Sequence, residues 1–248
     1  DQRPGQLVLK AEERDRVVSD LCRSCPGWDI SHESIRAVHL GHLPRLPGAT
    51  ESAPIPAERP TLYRERGPGA AEGVWRIGTE KWTTVRRLSE IAIDRIAVEE
   101  KLSVPSSRTQ YLPLHGADFE SLRELRKQAD SLCREPLTGS IMDRLIARFG
   151  RNALTILQRM ATDPDCSQTM PATEAVTRAE FDYVLEHEMP LTACDMMLRR
   201  LGLGATGPPS PAALEFVATR MALHFGWGQE QKQQNIETVQ DHPGFDVL

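Results

Sequence analysis

Apolar positions follow two regimes along the chain. From about residue 113 they recur at helical spacing. Leu122, Leu125, Ala129 and Leu132 mark one stripe, and Leu154 and Leu157 carry it through residues 152–160. Ser140 with Asp143 reads as a capping box, and Gly150 sits where that helix should stop. Residues 175–189 and 192–201 read as a helix pair around Pro190. Ser210-Pro211 reads as an N-cap followed by proline at the first helical position, after which Leu214, Val217, Met221 and Phe225 line one face. His242-Pro243-Gly244 reads as a tail.

The first part is less regular. Residues 11–22 suggest a polar helix with Val17, Val18 and Leu21 on its apolar side, ended by Pro26-Gly27. Residues 34–40 alternate polar and apolar and predict a strand. Pro44, Pro47, Pro54, Pro56 and Pro60 predict a long loop. Residues 61–64 and 73–77 predict two short strands about the turn Gly67-Pro68-Gly69. A helix follows from near Thr83, with Val85, Leu88, Ala92 and Ile96 on one face. Residues 103–113 read as a linker. The fold class expected is mainly α, with a small α/β piece over 1–112 and an all-helical domain over 113–248.

Composition narrows the classes of function. The net charge is −5, which gives no electrostatic case for a nucleic-acid partner. No run reaches the ~20 consecutive apolar residues of a membrane-spanning helix. Cys22, Cys25, Cys133, Cys166 and Cys194 do not form a four-ligand zinc spacing, and read as ordinary thiols of a reducing compartment. The start, Asp1-Gln2-Arg3-Pro4-Gly5, reads as a trimmed end with a segment missing upstream. Periodicity alone goes no further toward a function.

Three segments carry a resemblance. Gly78-Thr79-Glu80-Lys81-Trp82-Thr83-Thr84-Val85-Arg86-Arg87-Leu88-Ser89-Glu90 is similar to the Gly-Gly-Lys-x-Thr-Thr-Tyr-Arg-x-Met-Ala-Glu segment of FAD-dependent glycerol-3-phosphate dehydrogenases of the aerobic type. Residues 37–46, with Pro44 and Arg45, resemble that family's strand ending in Gly-Leu-Arg-Pro-Leu. Tyr63-Arg64-Glu65 resembles its Ser-Arg-Asp/Glu. In the helical part, residues 109–116, 145–150, 177–189, 194–203 and 225–227 resemble further family segments in the family's order.

The resemblance implies the carboxy-terminal half of a flavoprotein. Gly78, Lys81, Trp82, Thr83 and Thr84 would meet the flavin, Lys81 would be the catalytic cation, and Arg45 and Arg64 would bind the substrate phosphate. The intact enzyme would oxidise sn-glycerol 3-phosphate to dihydroxyacetone phosphate through FAD, with a quinone as acceptor. Its partner would be the missing amino-terminal FAD domain, which carries the Gly-x-Gly-x-x-Gly that this sequence lacks. The location implied is cytoplasmic, peripheral on the inner face of the membrane, and the chain alone is expected to be inactive. Thr79, Glu80 and Leu43 depart from the family's pattern and keep a second reading open, a diverged structural or partner-binding module of the same fold.

Overall fold

The computed structural model describes residues 10–39, 41, 60–67, 69, 71–79, 81–133, 139–173 and 176–245. Arg45, Leu43, Glu80 and the side chain of Ser140 lie outside them. The chain forms two compact units, Asp1–Leu40 with His115–Leu248, and Gly41–Leu114.

Among its described residues the smaller unit is built on one hairpin and one helix. Strands β1 (Thr61–Arg64) and β2 (Trp75–Gly78) pair antiparallel, with Thr61 opposite Gly78 and Arg64 opposite Trp75. Gly67, Gly69 and Gly73 between them have positive φ, which glycine adopts without strain. After β2 a short 3₁₀ turn, Trp82–Thr84, runs directly into a helix, Val85–Glu99. Leu88, Ala92 and Ala97 are its buried residues, while Val85 is exposed.

The larger unit holds the remaining helices among the described residues, and the fold is mainly α as expected. Numbered through the whole chain they are α1 (Ala11–Ser24), α2 (Val85–Glu99, in the smaller unit), α3 (Leu122–Leu132), α4 (Gly139–Phe149), α5 (Ala153–Thr162), α6 (Arg178–His187), α7 (Pro211–Phe225) and α8 (Gln229–Gln240). Between α6 and α7 the residues Asp195–Arg200 form a π-helical turn. One apolar core joins α3 to α8, around Leu125, Leu145, Ile156, Phe181, Val217 and Met221. Ser210 caps α7 by accepting from the Ala213 N–H at 3.1 Å, with Pro211 next to it, as the sequence suggests.

A buried polar knot ties α4 to α6. Thr177 and Glu180 are fully buried and cap each other, the Glu180 carboxylate accepting from the Thr177 N–H at 2.9 Å. The Arg144 guanidinium holds the same carboxylate through both its terminal nitrogens, Nη2 to Oε2 at 2.7 Å.

Three expectations change. Among the described residues, 34–39 form no strand. The segment makes the 3₁₀ turn His32–Ser34 and then one backbone bond, Val38 N–H to the Gly244 carbonyl at 2.9 Å. The 192–201 helix is replaced for most of its length by the π-helical turn. The supposed tail is ordered: α8 precedes it, and Pro243–Phe245 forms a turn with Gly244 buried. α8 escapes a periodicity reading because it is rich in glutamine and buries one residue, Val239.

Candidate functional site

The segment singled out by the sequence lies where β2 becomes α2. Gly78 ends the strand and Thr79 turns the chain, its hydroxyl accepting from the Lys81 N–H at 3.3 Å. Lys81 is extended, and its carbonyl accepts from the Thr84 hydroxyl at 3.1 Å. Lys81, Trp82, Thr83 and Thr84 are all exposed, Trp82 at 84%. No acidic residue lies in the first turn of α2, and no side chain caps it. The preceding 3₁₀ turn takes the Val85 N–H onto the Trp82 carbonyl, and what this end of the helix offers an anion is its positive dipole end.

Two arginines reinforce that charge. Arg86 and Arg87 both pair with Glu90, Arg86 at 2.5 Å. The hydrogen bond from Arg86 and the nearby Arg87 charge hold the Glu90 carboxyl below its ordinary pKa. Arg86 also donates to the Thr109 hydroxyl at 3.1 Å. A groove of about 1,090 Å3 runs beside this end of α2, with Val85, Ile93, Leu112 and Leu114 among its apolar walls.

Arg64 sits elsewhere in the same unit. It is half-buried and pairs with Glu100 at 2.8 Å, just beyond the last turn of α2. α2 has 15 residues, a rise of about 22 Å. Lys81 and the Arg64 ion pair therefore lie at opposite ends of this helix and are not brought together. Glu100 and Glu90 are the partners that sequence reasoning missed. Glu90 was accessible from its spacing of three and four residues to Arg87 and Arg86. Glu100 was not, because its pairing with Arg64 depends on the hairpin folding against α2, where Arg95 also donates to the Leu62 carbonyl at 3.1 Å.

These residues suit one edge of a flavin. An exposed indole, two hydroxyls, a lysine and an open helix N-terminus can contact a planar ring that gains negative charge on reduction. They do not suit the cofactor's pyrophosphate, for which the sequence has no glycine-rich cradle. Among the described residues no group of three or more His, Cys, Asp or Glu side chains could hold a metal ion. No described helix is long and apolar enough to cross a membrane.

Likeness to known proteins extends over the linker, helices α3–α7 and the start of α8. Residues 107–232 match the family model described as the C-terminal domain of alpha-glycerophosphate oxidase. That is half of the chain, and the chain belongs to this family. A glycerol-3-phosphate dehydrogenase of Synechocystis sp. is 23% identical over 232 residues, 93% of this chain and 41% of the relative. The aerobic glycerol-3-phosphate dehydrogenase of Bacillus subtilis is 21% identical over 246 residues, again 93% of this chain and 42% of the relative. The X-ray structure of the glycerol-3-phosphate dehydrogenase from Bacillus halodurans, complexed with FAD, has a TM-score of 0.69 at 18% identity. It covers 100% of this chain, which covers 47% of it, and the two share a fold. The chain thus spans less than half the length of each of these relatives.

Proposed function

We propose that this chain is the carboxy-terminal portion of a flavoprotein that oxidises sn-glycerol 3-phosphate to dihydroxyacetone phosphate, with FAD as redox cofactor and a quinone as acceptor. The observation that carries the reading is the delivery of Lys81–Thr84 by β2 to an uncapped, positively flanked helix N-terminus. Membership of the family and the glycerol-3-phosphate dehydrogenase relatives support it. On this reading the unit Gly41–Leu114 belongs with the FAD and substrate domain, and residues 1–40, which the sequence assigns to that domain, cluster instead with the helical residues 115–248.

The distance along α2 divides the roles. Lys81, with Gly78, Trp82, Thr83 and Thr84, faces the flavin and places a positive charge where reduction develops a negative one. Arg64 binds the substrate phosphate by exchanging Glu100 for it, since a guanidinium fork matches phosphate oxygens in pairs. Arg45 takes the second phosphate contact. Bound FAD supplies the hydride acceptor. The chain's own residues orient the substrate and stabilise charge.

The partner is an amino-terminal FAD domain. The smaller unit exposes Trp82 at the start of α2, Val98 and Leu102 at its far end, and Tyr111, Leu112 and Leu114 in the segment that follows, large apolar side chains that a partner domain would cover. The intact protein acts in the cytoplasm, peripherally on the inner face of the membrane. A second reading, a non-catalytic module of the same fold, draws on Thr79 in place of a family glycine and on the engagement of Arg64 by Glu100.

The test is the absorption spectrum of the purified full-length product. An oxidised-flavin band near ~450 nm that bleaches with glycerol 3-phosphate is expected. A folded, colourless protein that takes up no FAD would overturn the enzyme reading in favour of the module.

A further inference from the structure

The larger unit holds a small cavity of about 270 Å3 whose walls include segment 37–39, the π-helical turn, Gly204 and the 242–245 turn. It is smaller than the roughly 300–1,000 Å3 of pockets for drug-sized ligands. Its walls are held close. Val38 is bonded to Gly244 through the backbone at 2.9 Å. A Cβ at Gly204 would lie 2.2 Å from a Leu198 methyl, and one at Gly244 would lie 2.6 Å from the Val38 carbonyl oxygen.

Three nitrogen-bearing side chains share this lining: His39, Arg199 and His242. Arg199 is presented by the π-helical turn, a distortion frequent at functional sites. One of its terminal nitrogens donates to Asp195 at 2.8 Å, which leaves the rest of the fork available. The Nδ1 of His242 accepts from the Gly244 N–H at 3.1 Å, so the neutral ring carries its proton on Nε2 as a donor. The Nε2 of His39 lies 3.4 Å from the Ala205 carbonyl. Burial, then the charges of Arg199 and His39, push the His242 pKa below its ordinary value. The groups that His242 feels are therefore cationic, and the carboxylate bonded to the set is Asp195, held on Arg199.

We infer that this cavity binds a small oxyanion, a phosphate group either free or in a monoester, held by Arg199, His242 and His39. The Arg199 fork and the His242 Nε2–H donate to such an anion, and His39, whose Nε2 is engaged by the Ala205 carbonyl, offers it a donor at Nδ1 as the imidazolium. The flavin reading leaves these residues unused, so the two stand or fall separately.

Calorimetric titration of the full chain with inorganic phosphate, at constant ionic strength maintained with chloride, tests it. One saturable site is expected at millimolar phosphate or below, weakened at least about tenfold by Arg199→Gln, the cost of one charged hydrogen bond. His39→Gln, at an exposed position whose ring reaches the Ala205 carbonyl at 3.4 Å, should weaken it as well with little change in melting temperature. It keeps the test decisive if the arginine variant fails to fold. Competition by glycerol 3-phosphate for the phosphate heat would identify an ester as the source, and absence of competition would identify the free ion. No saturable binding, equal displacement by chloride, or full affinity in His39→Gln and in a folded Arg199→Gln would overturn the site.

Discussion

Single residues show why parts of the helical motif take the form they do. Gly116 and Gly150, far apart in sequence, meet backbone to backbone. A Cβ on Gly150 would lie 2.1 Å from the Gly116 carbonyl oxygen, and the Arg151 N–H donates to that same oxygen at 2.8 Å. Both have positive φ, at 85° and 54°. Gly150→Ala should therefore cost at least about 2 kcal/mol, from backbone strain plus crowding. Gly226, with φ 69° but open space around it, isolates the first of these effects, and Gly226→Ala should cost about 1 kcal/mol. Chemical denaturation of the two variants measures the difference. Glu180→Gln leaves Arg144 without its carboxylate in a partly buried place and weakens the α6 cap. A loss of about 3–5 kcal/mol is expected in the same measurement. On the flavoprotein reading, Lys81→Ala should lower kcat of the intact protein about a hundredfold with little change in stability, because the side chain is exposed and is proposed to meet developing charge. Steady-state kinetics on the full-length product would check it.

At the scale of elements, the π-helical turn is the feature that a periodicity reading could not supply. Asp195 anchors it by accepting from the N–H groups of Leu191 and Thr192 and from the Thr192 hydroxyl, and it holds Arg199 one turn on. Burial pushes the Asp195 pKa up, but these donors and Arg199 outweigh it and hold the carboxyl below its ordinary value. A carboxyl depressed in the folded state stabilises above its unfolded pKa, ~3.9, and that stability is lost as pH falls through the lower folded value. The stability gap between the native protein and Asp195→Asn should thus shrink below pH ~4, as read by acid titration of the circular dichroism signal. His242 titrates with the same sign at higher pH. Its folded pKa is lowered, so the unfolded chain binds the extra proton, and stability rises with pH through the window just below ~6.5. His242→Gln should flatten that rise.

Across the whole molecule, the two units differ in how much they bury. The helical unit closes a continuous core from Leu125 to Val239. The smaller unit buries Leu88, Ala92 and Ala97 and leaves most of its larger apolar side chains at its surface. Burial of such surface is the main drive for association. Co-expression of this chain with an amino-terminal FAD domain should raise its soluble yield and lower its binding of a hydrophobic dye. Unchanged dye binding would count against that partner.

Helix spacing, the Ser210-Pro211 start, the Gly150 stop and the two short strands were legible in the sequence, because each rests on local preferences of a few neighbouring residues. So was the family, carried by ordered motifs that run from the hairpin through the helices. The sequence could also point to Lys81 and Arg64 one at a time. Only the tertiary structure decided that they stand at opposite ends of α2, that Glu100 holds Arg64, that α8 is a helix, and that His39, Arg199 and His242 converge. Those outcomes depend on contacts between residues far apart in the chain, such as the bond from Val38 to Gly244 across the cavity wall, and no local pattern encodes a distance of that kind. The energy that fixes them comes from packing of surfaces that meet only once the chain has folded.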